Sequence, residues 1–83
     1  MANITIYTSS FCPYCVQAKR LLDKKNIAFH EISIASHPEK RAEMIQKSRR
    51  TTVPQIVNGD THIGDCMEIY ELESAGKLDD LLA

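Results

Sequence analysis

The 83-residue chain contains no apolar run approaching the roughly 20 residues that a membrane span requires. Its first residues, Met1-Ala2-Asn3-Ile4, offer neither a basic segment nor an apolar one, so no signal peptide is expected. Internal repeats, low-complexity tracts and linkers are missing, and one domain over 1–83 is the expectation. No dense basic stripe interleaved with aromatics is present and the pI is 6.3, which argues against a nucleic-acid partner. Cysteine is scarce. Three is an odd number and too few for a secreted disulfide scaffold, so a reducing cytoplasm is the expected location. There is one Cys-x-x-Cys pair and no second, whereas zinc and iron–sulfur sites usually want four ligands.

What is present is ordinary for a folded globular chain: 43% hydrophobic and 25% charged residues. A chain this short buries only about 60–65% of its unfolded surface, so the core must be modest. The net charge of −1 hides an asymmetry. Residues 1–50 hold nine Lys/Arg and four Asp/Glu; residues 51–83 hold one and seven. Such a division can steer a zwitterionic partner, or can simply be two solvated faces.

The chain is organised around Tyr7-Thr8-Ser9-Ser10-Phe11-Cys12-Pro13-Tyr14-Cys15. A β-branched run from 3 to 8 predicts a strand, and a helical pattern begins at Pro13, a residue suited to the first helical position. Cys12 is then the helix cap. Its sulfur can accept from the free N–H groups of Tyr14 and Cys15, and these groups and the helix dipole favour the thiolate. The thiolate is the nucleophile in disulfide exchange, and Cys15 lies one turn away, within reach of Cys12. A purely structural bridge closing so short a ring would remove little unfolded-state entropy. A redox pair is therefore the favoured reading of Cys12 and Cys15.

The helix over 13–25 should bury Val16, Ala18, Leu21 and Leu22 and stop at Asn26. A second strand lies within 27–34, and strand–helix–strand implies parallel pairing. A second helix is predicted from Ser36 or His37, with Ser36 and Glu39 as a capping box and Ala42, Met44 and Ile45 buried. Asn58-Gly59-Asp60 between Gln55-Ile56-Val57 and Thr61-His62-Ile63 predicts a hairpin. Asp65 and Glu68 form a second candidate capping box, opening a helix with Ile69, Tyr70 and Leu72 inward and Gly76 as its stop. Leu78, Leu81 and Leu82 should close the core. The order is βαβαββα, an α/β arrangement with a four-stranded mixed sheet flanked by helices.

Cys12-Pro13-Tyr14-Cys15 resembles the active-site tetrapeptide of dithiol glutaredoxins, and Thr52-Val53-Pro54 and the turn at Gly64 match the same family at the expected distances. The likeness spans essentially the whole chain and is greatest to small bacterial members. It implies a thioredoxin-like fold and a glutathione-dependent thiol–disulfide oxidoreductase that reduces glutathione mixed disulfides and protein disulfides. Glutathione would be a co-substrate, with no tightly bound cofactor and no metal. Partners would be glutathione, disulfide-bearing or glutathionylated proteins and, through glutathione, glutathione reductase; the protein would be monomeric, with no membrane partner.

The resemblance also implies site residues. Pro54 should be cis and face the cysteines, leaving the backbone of Val53, next to Thr52, open to an extended peptide as an added strand would be. The helix opening after Gly64, at Asp65, Cys66 and Met67, should hold the γ-glutamyl carboxylate on its N–H groups. Tyr14 should shield the thiols. Arg41, with Arg50 as second choice, should meet the opposite end of glutathione. Cys66 is expected to be a buried structural thiol, and no catalytic role is given to His30, His37 or His62. Three positions depart from the family: Ser9 and Ser10 where many relatives carry a lysine, Asp65 in place of the second glycine of a pair, and Met67 in place of an acid. Alternatives within other classes are a scaffold that shares an iron–sulfur cluster through Cys12 and glutathione, and a zinc-bound adaptor using Cys12, Cys15 and Cys66. Within the same fold, a thioredoxin-like reductase served directly by a reductase enzyme is the alternative.

Overall fold

The computed structural model describes residues 3–83. In chain order it contains β1 (Ile4–Thr8), α1 (Pro13–Lys24), β2 (His30–Ser33), α2 (Lys40–Ser48), β3 (Gln55–Asn58), β4 (Thr61–Gly64), α3 (Cys66–Ser74) and a short α4 (Leu78–Leu82). The strands form one sheet in the order β2-β1-β3-β4. β1 pairs in parallel with β2 and antiparallel with β3, and β3 pairs antiparallel with β4. This is the expected mixed sheet, with α4 as the short closing element.

The period of two along the strands divides the interior into two cores. Ile4, Ile6, Ile56 and Ile63 face Ala18, Leu21 and Leu22 of α1, Ile69 of α3, and Leu78 and Leu82 of α4. Tyr7 and Val57 face the other way, onto Met44 of α2. Helices therefore cover both faces. Truncating a fully buried side chain such as Leu22 to Ala should cost about 2–5 kcal/mol. Tyr7 is fully buried, yet its hydroxyl is satisfied: it donates to Glu43 Oε2 at 2.5 Å. Burial and that carboxylate raise the phenol's pKa, and the same bond lowers that of Glu43.

Local signals set most element ends. Asn26 takes a left-handed φ of 58° after α1, and the two-residue turn Gly59-Asp60 joins β3 to β4 with Gly59 at φ 61°. Five expectations are corrected. Helix α2 begins at Lys40, not at Ser36 or His37, and the Ser36–Glu39 capping box does not form. His37 precedes Pro38, which disfavours helical backbone there, and Ser33 Oγ accepts the Ser36 N–H at 3.2 Å within a turn. Val16 is exposed, because the buried stripe of α1 runs through Cys15, Ala18, Leu21 and Leu22. Ala42 lies opposite Met44 and is exposed too. Tyr70 follows the buried Ile69, lies outside the core, and donates to Gln17 O at 3.1 Å. Leu81 is also on the outer side, since Leu78 and Leu82, one turn apart, take the core positions of α4. No helix among the described residues is long and apolar enough to cross a membrane.

Candidate active site

Strand β1 ends at Thr8, and the chain turns through Ser9, Ser10 and Phe11 before α1 begins at Pro13. Phe11 has a φ of 56° and its ring is wholly in solvent. Cys12 is the N-cap of α1, with extended backbone, and its Sγ accepts the Cys15 N–H at 3.2 Å. The bond comes from Cys15 alone; Tyr14 was the other donor expected. No acidic residue occupies the first turn of α1, so nothing there opposes negative charge on the cap.

The two sulfurs have different surroundings. Cys12 is partly exposed, whereas Cys15 is 2% exposed. Burial first, and then the hydrogen bond to Cys12, push the Cys15 thiol well above the usual range; the Ser9 backbone and Lys19 act weakly the other way. Lys19 is held by Glu31, 3.2 Å from its Nζ, and Glu31 also accepts from Thr8 Oγ1 at 2.8 Å. Both thiols, and that of Cys66, are free. An accessible capped sulfur beside a sheltered protonated one can attack first and resolve second.

Beside the pair lies a cleft of about 290 Å³. One wall is Thr52, Val53 and Pro54; the other is Asp65, Cys66 and Met67; Tyr14, from the Cys12–Cys15 turn, completes the lining. The Val53–Pro54 peptide bond is cis, as expected. Tyr14 is 60% exposed and Met67 66%, so both are available at the rim. Cys66 is 5% exposed and belongs to the larger core. Its thiol pKa is raised by burial, then by the charges of Asp65 and Cys12. Arg41 does not line the cleft. It is exposed on α2, and its Nη1 donates to Thr51 O at 3.1 Å, at the outer end of the Thr52 wall.

The second wall is built with care at the level of hydrogen bonds. Asp65 caps α3 by accepting the Glu68 N–H at 2.9 Å, and Glu68 Oε1 accepts the Asp65 N–H at 3.1 Å. This is the predicted capping box. The box uses the N–H groups of Asp65 and Glu68 and engages neither that of Cys66 nor that of Met67, in the first turn of α3. Gly64 precedes the box. A Cβ there would lie 2.7 Å from Glu68 Cβ, so glycine is required for this close approach.

Sequence reasoning missed two connections. Arg50 donates to Glu68 through both terminal guanidinium nitrogens, Nη1 to Oε1 and Nη2 to Oε2 at 3.0 Å, and its Nη1 lies 3.6 Å from Asp65 Oδ2. That pair holds the Glu68 carboxyl down at about 2. Separately, His62 Nε2 lies 2.7 Å from Gln55 Oε1, and Gln55 Nε2 donates to Thr52 Oγ1 at 3.2 Å, supporting the first wall from behind. Burial, followed by Arg50, lowers the His62 pKa. Arg50 and Glu68 are 18 residues apart and have no periodic or short-range signal, and Gln55 and His62 meet across the β3–β4 hairpin.

A four-stranded mixed sheet with a reduced Cys-x-x-Cys at the start of its first helix defines the chain as a thiol–disulfide exchange protein of thioredoxin-like fold. The glutaredoxin family model matches residues 4–63. A glutaredoxin of Pseudomonas aeruginosa is 51% identical over 83 residues, covering 100% of this chain and 99% of that protein. The solution structure of a Brucella melitensis glutaredoxin superposes with a TM-score of 0.83 at 50% identity, covering 99% of this chain and 89% of that one. A buckwheat glutaredoxin–glutathione complex superposes with a TM-score of 0.84 at 26% identity, covering 98% and 76%. The chain belongs to the glutaredoxin family, whose members are thiol–disulfide oxidoreductases.

Proposed function

We propose that this glutaredoxin reduces glutathione mixed disulfides and protein disulfides in the cytoplasm, as a monomer, with glutathione as the electron donor and no tightly bound cofactor. The observation that carries this reading is the cleft. Tyr14, which lies between Cys12 and Cys15 in the chain, lines it together with the Thr52–Pro54 segment on one side and the start of α3 on the other. A small peptide with carboxylates at both ends suits those walls, and the buckwheat relative was solved with glutathione.

In the first mode the Cys12 thiolate attacks the glutathione sulfur of a mixed disulfide. The Cys12–glutathione bond forms, the old S–S bond breaks, and the protein leaves as a thiolate that takes up a proton. A second glutathione thiolate attacks that sulfur, giving oxidised glutathione and restoring Cys12. In the second mode Cys12 joins a substrate protein. Cys15 then loses its proton and attacks the Cys12 sulfur; the bond from Cys12 to the substrate breaks, the substrate leaves as a dithiol after taking up that proton, and two glutathione molecules reduce the resulting Cys12–Cys15 disulfide, leaving as oxidised glutathione. Glutathione reductase would recycle the oxidised glutathione.

Each wall has a role in this reading. The backbone of Val53, beside Thr52 and Pro54, pairs with the cysteine residue of glutathione as an added strand would. The N–H groups of Cys66 and Met67, opened by Gly64 and Asp65, hold the γ-glutamyl carboxylate. Tyr14 covers the sulfurs. Arg41, projecting near Thr51, meets the glycyl carboxylate. The zinc-adaptor alternative is not favoured: among the described residues no three His, Cys, Asp or Glu side chains gather as a metal site. The test is reduction of a glutathionylated peptide, coupled to glutathione reductase and NADPH oxidation. Turnover well above the uncatalysed rate is expected; a rate equal to it would overturn the proposal.

A further inference from the structure

Arg50 does not line the cleft but connects the segments that form its two walls. It follows α2 and precedes Thr51, Thr52 and Val53, so its backbone belongs to the approach to the first wall. That backbone is anchored to α2: Ser48 Oγ accepts the Arg50 N–H at 3.1 Å while its own hydroxyl donates to Met44 O at 2.7 Å. Its guanidinium belongs to the second wall, bidentate on Glu68 and 3.6 Å from Asp65 Oδ2. Planar two-point pairing of this kind fixes orientation as well as distance. The same Glu68 carboxylate accepts the Asp65 N–H and packs over Gly64. One arginine thus joins the segment leading into the first wall to the acids at the start of α3.

Charge gives it a second task. Asp65 and Glu68 both lie in the turn where, on the reading proposed above, a γ-glutamyl carboxylate lands. Two unopposed acids there would repel it. With Arg50 in place the three groups together carry −1 rather than −2. We propose that Arg50 is a positioning residue for glutathione: it ties the Thr51–Val53 segment to the first turn of α3 and offsets the acids that would otherwise exclude the γ-glutamyl carboxylate. The cation acts through Glu68 and Asp65, not by touching the reacting sulfurs. This inference rests on the assignment of the cleft to glutathione.

The experiment compares the wild type, Arg50→Gln, Glu68→Gln and the double variant, each checked for cooperative thermal unfolding. Two readouts are taken: KM and kcat for a glutathionylated peptide, and the single-turnover rate of the reduced protein with bis(2-hydroxyethyl) disulfide in the absence of glutathione. Arg50→Gln should raise KM by about tenfold while kcat changes little, and the effect should be confined to the glutathione substrate. Glu68→Gln, which keeps a side chain able to accept the Asp65 N–H, should lower KM. The double variant restores the net charge of −1 but not the tie, so its KM should fall clearly below that of Arg50→Gln while staying above wild type. An unchanged KM in Arg50→Gln, an equal loss in the glutathione-free reaction, or a double variant as impaired as Arg50→Gln would each overturn the proposal. If Arg50→Gln does not fold, Glu68→Gln decides alone: a higher KM sinks the idea. Wild-type inactivity on the glutathionylated peptide would instead refute the glutathione reading beneath it.

Discussion

Two helix starts face one cleft, and they are finished in opposite ways. Helix α1 is capped by a sulfur that accepts a single N–H at 3.2 Å, with no acid in its first turn. Helix α3 is capped by a carboxylate at 2.9 Å, answered by Glu68 and held from outside by Arg50. The first cap is weak and polarizable, and its group can leave to form a covalent bond. The second is a closed set of charged hydrogen bonds in which no member is free to react. The difference teaches where the chain keeps its rigidity: the reacting end is left adjustable, and the binding end is fixed.

The predictions test that division, from the largest effect to the smallest. Cys12→Ser should bring both mixed-disulfide and dithiol reduction to the uncatalysed rate, because no other thiol caps a helix; residual turnover in the coupled assay would show a second nucleophile. Cys15→Ser should lose reduction of protein disulfides yet keep much of the activity on glutathionylated peptide. Equal losses on the two substrates would mean that the sulfurs do not divide the labour. Asp65→Gly removes one acid from the α3 start at a capping cost of only a few tenths of a kcal/mol. It should tighten glutathione binding by about fivefold. A weaker variant in competition binding would mean that Asp65 instead holds the ligand's ammonium, in place of the acid that Met67 displaces.

The smallest effect concerns acid. Glu68 has its folded-state pKa depressed to about 2 by Arg50, from an ordinary value near 4.5. Its contribution to stability is therefore present in full above the ordinary value and is lost as pH falls toward 2. Urea midpoints measured from pH 5 to pH 2 should fall less steeply in Glu68→Gln than in wild type. Parallel curves would show that the Arg50–Glu68 pair contributes nothing.

Much of this arrangement was legible because its signals are short-range. The Cys12 cap, the stop at Asn26, the turn at Gly59 and the Asp65–Glu68 box each rest on residues within a turn of one another. Ser36 and Glu39 have the same spacing as Asp65 and Glu68 and failed, because His37 and Pro38 keep the intervening backbone from closing a helical turn there. Helical stripes were drawn too wide, so Val16, Ala42, Tyr70 and Leu81 were placed inside; each lies next to or across from the residues that fill the core. The Arg50–Glu68 and Gln55–His62 links could not be read at all. A charge at 50 can pair with any acid the fold delivers, and only the folded chain determines which one arrives.

Asn58 closes β3 at the end of the sheet remote from the cysteines. Its Oδ1 accepts the Asn3 N–H at 3.1 Å, and its Nδ2 donates to Leu81 O at 3.0 Å and Ala83 O at 3.1 Å. The segment leading into β1 and the end of α4 thus meet at one amide, and the neighbouring Gly59 N–H adds a bond to Asn3 O at 2.9 Å. Chain ends ordinarily fray independently, each exchanging its amide hydrogens at its own rate. Here opening of the hairpin tip should loosen both at once. Fraying is then expected as one cooperative event, which hydrogen exchange would register as protection lost together by Asn3 and the end of α4, at the far end of the molecule from the chemistry.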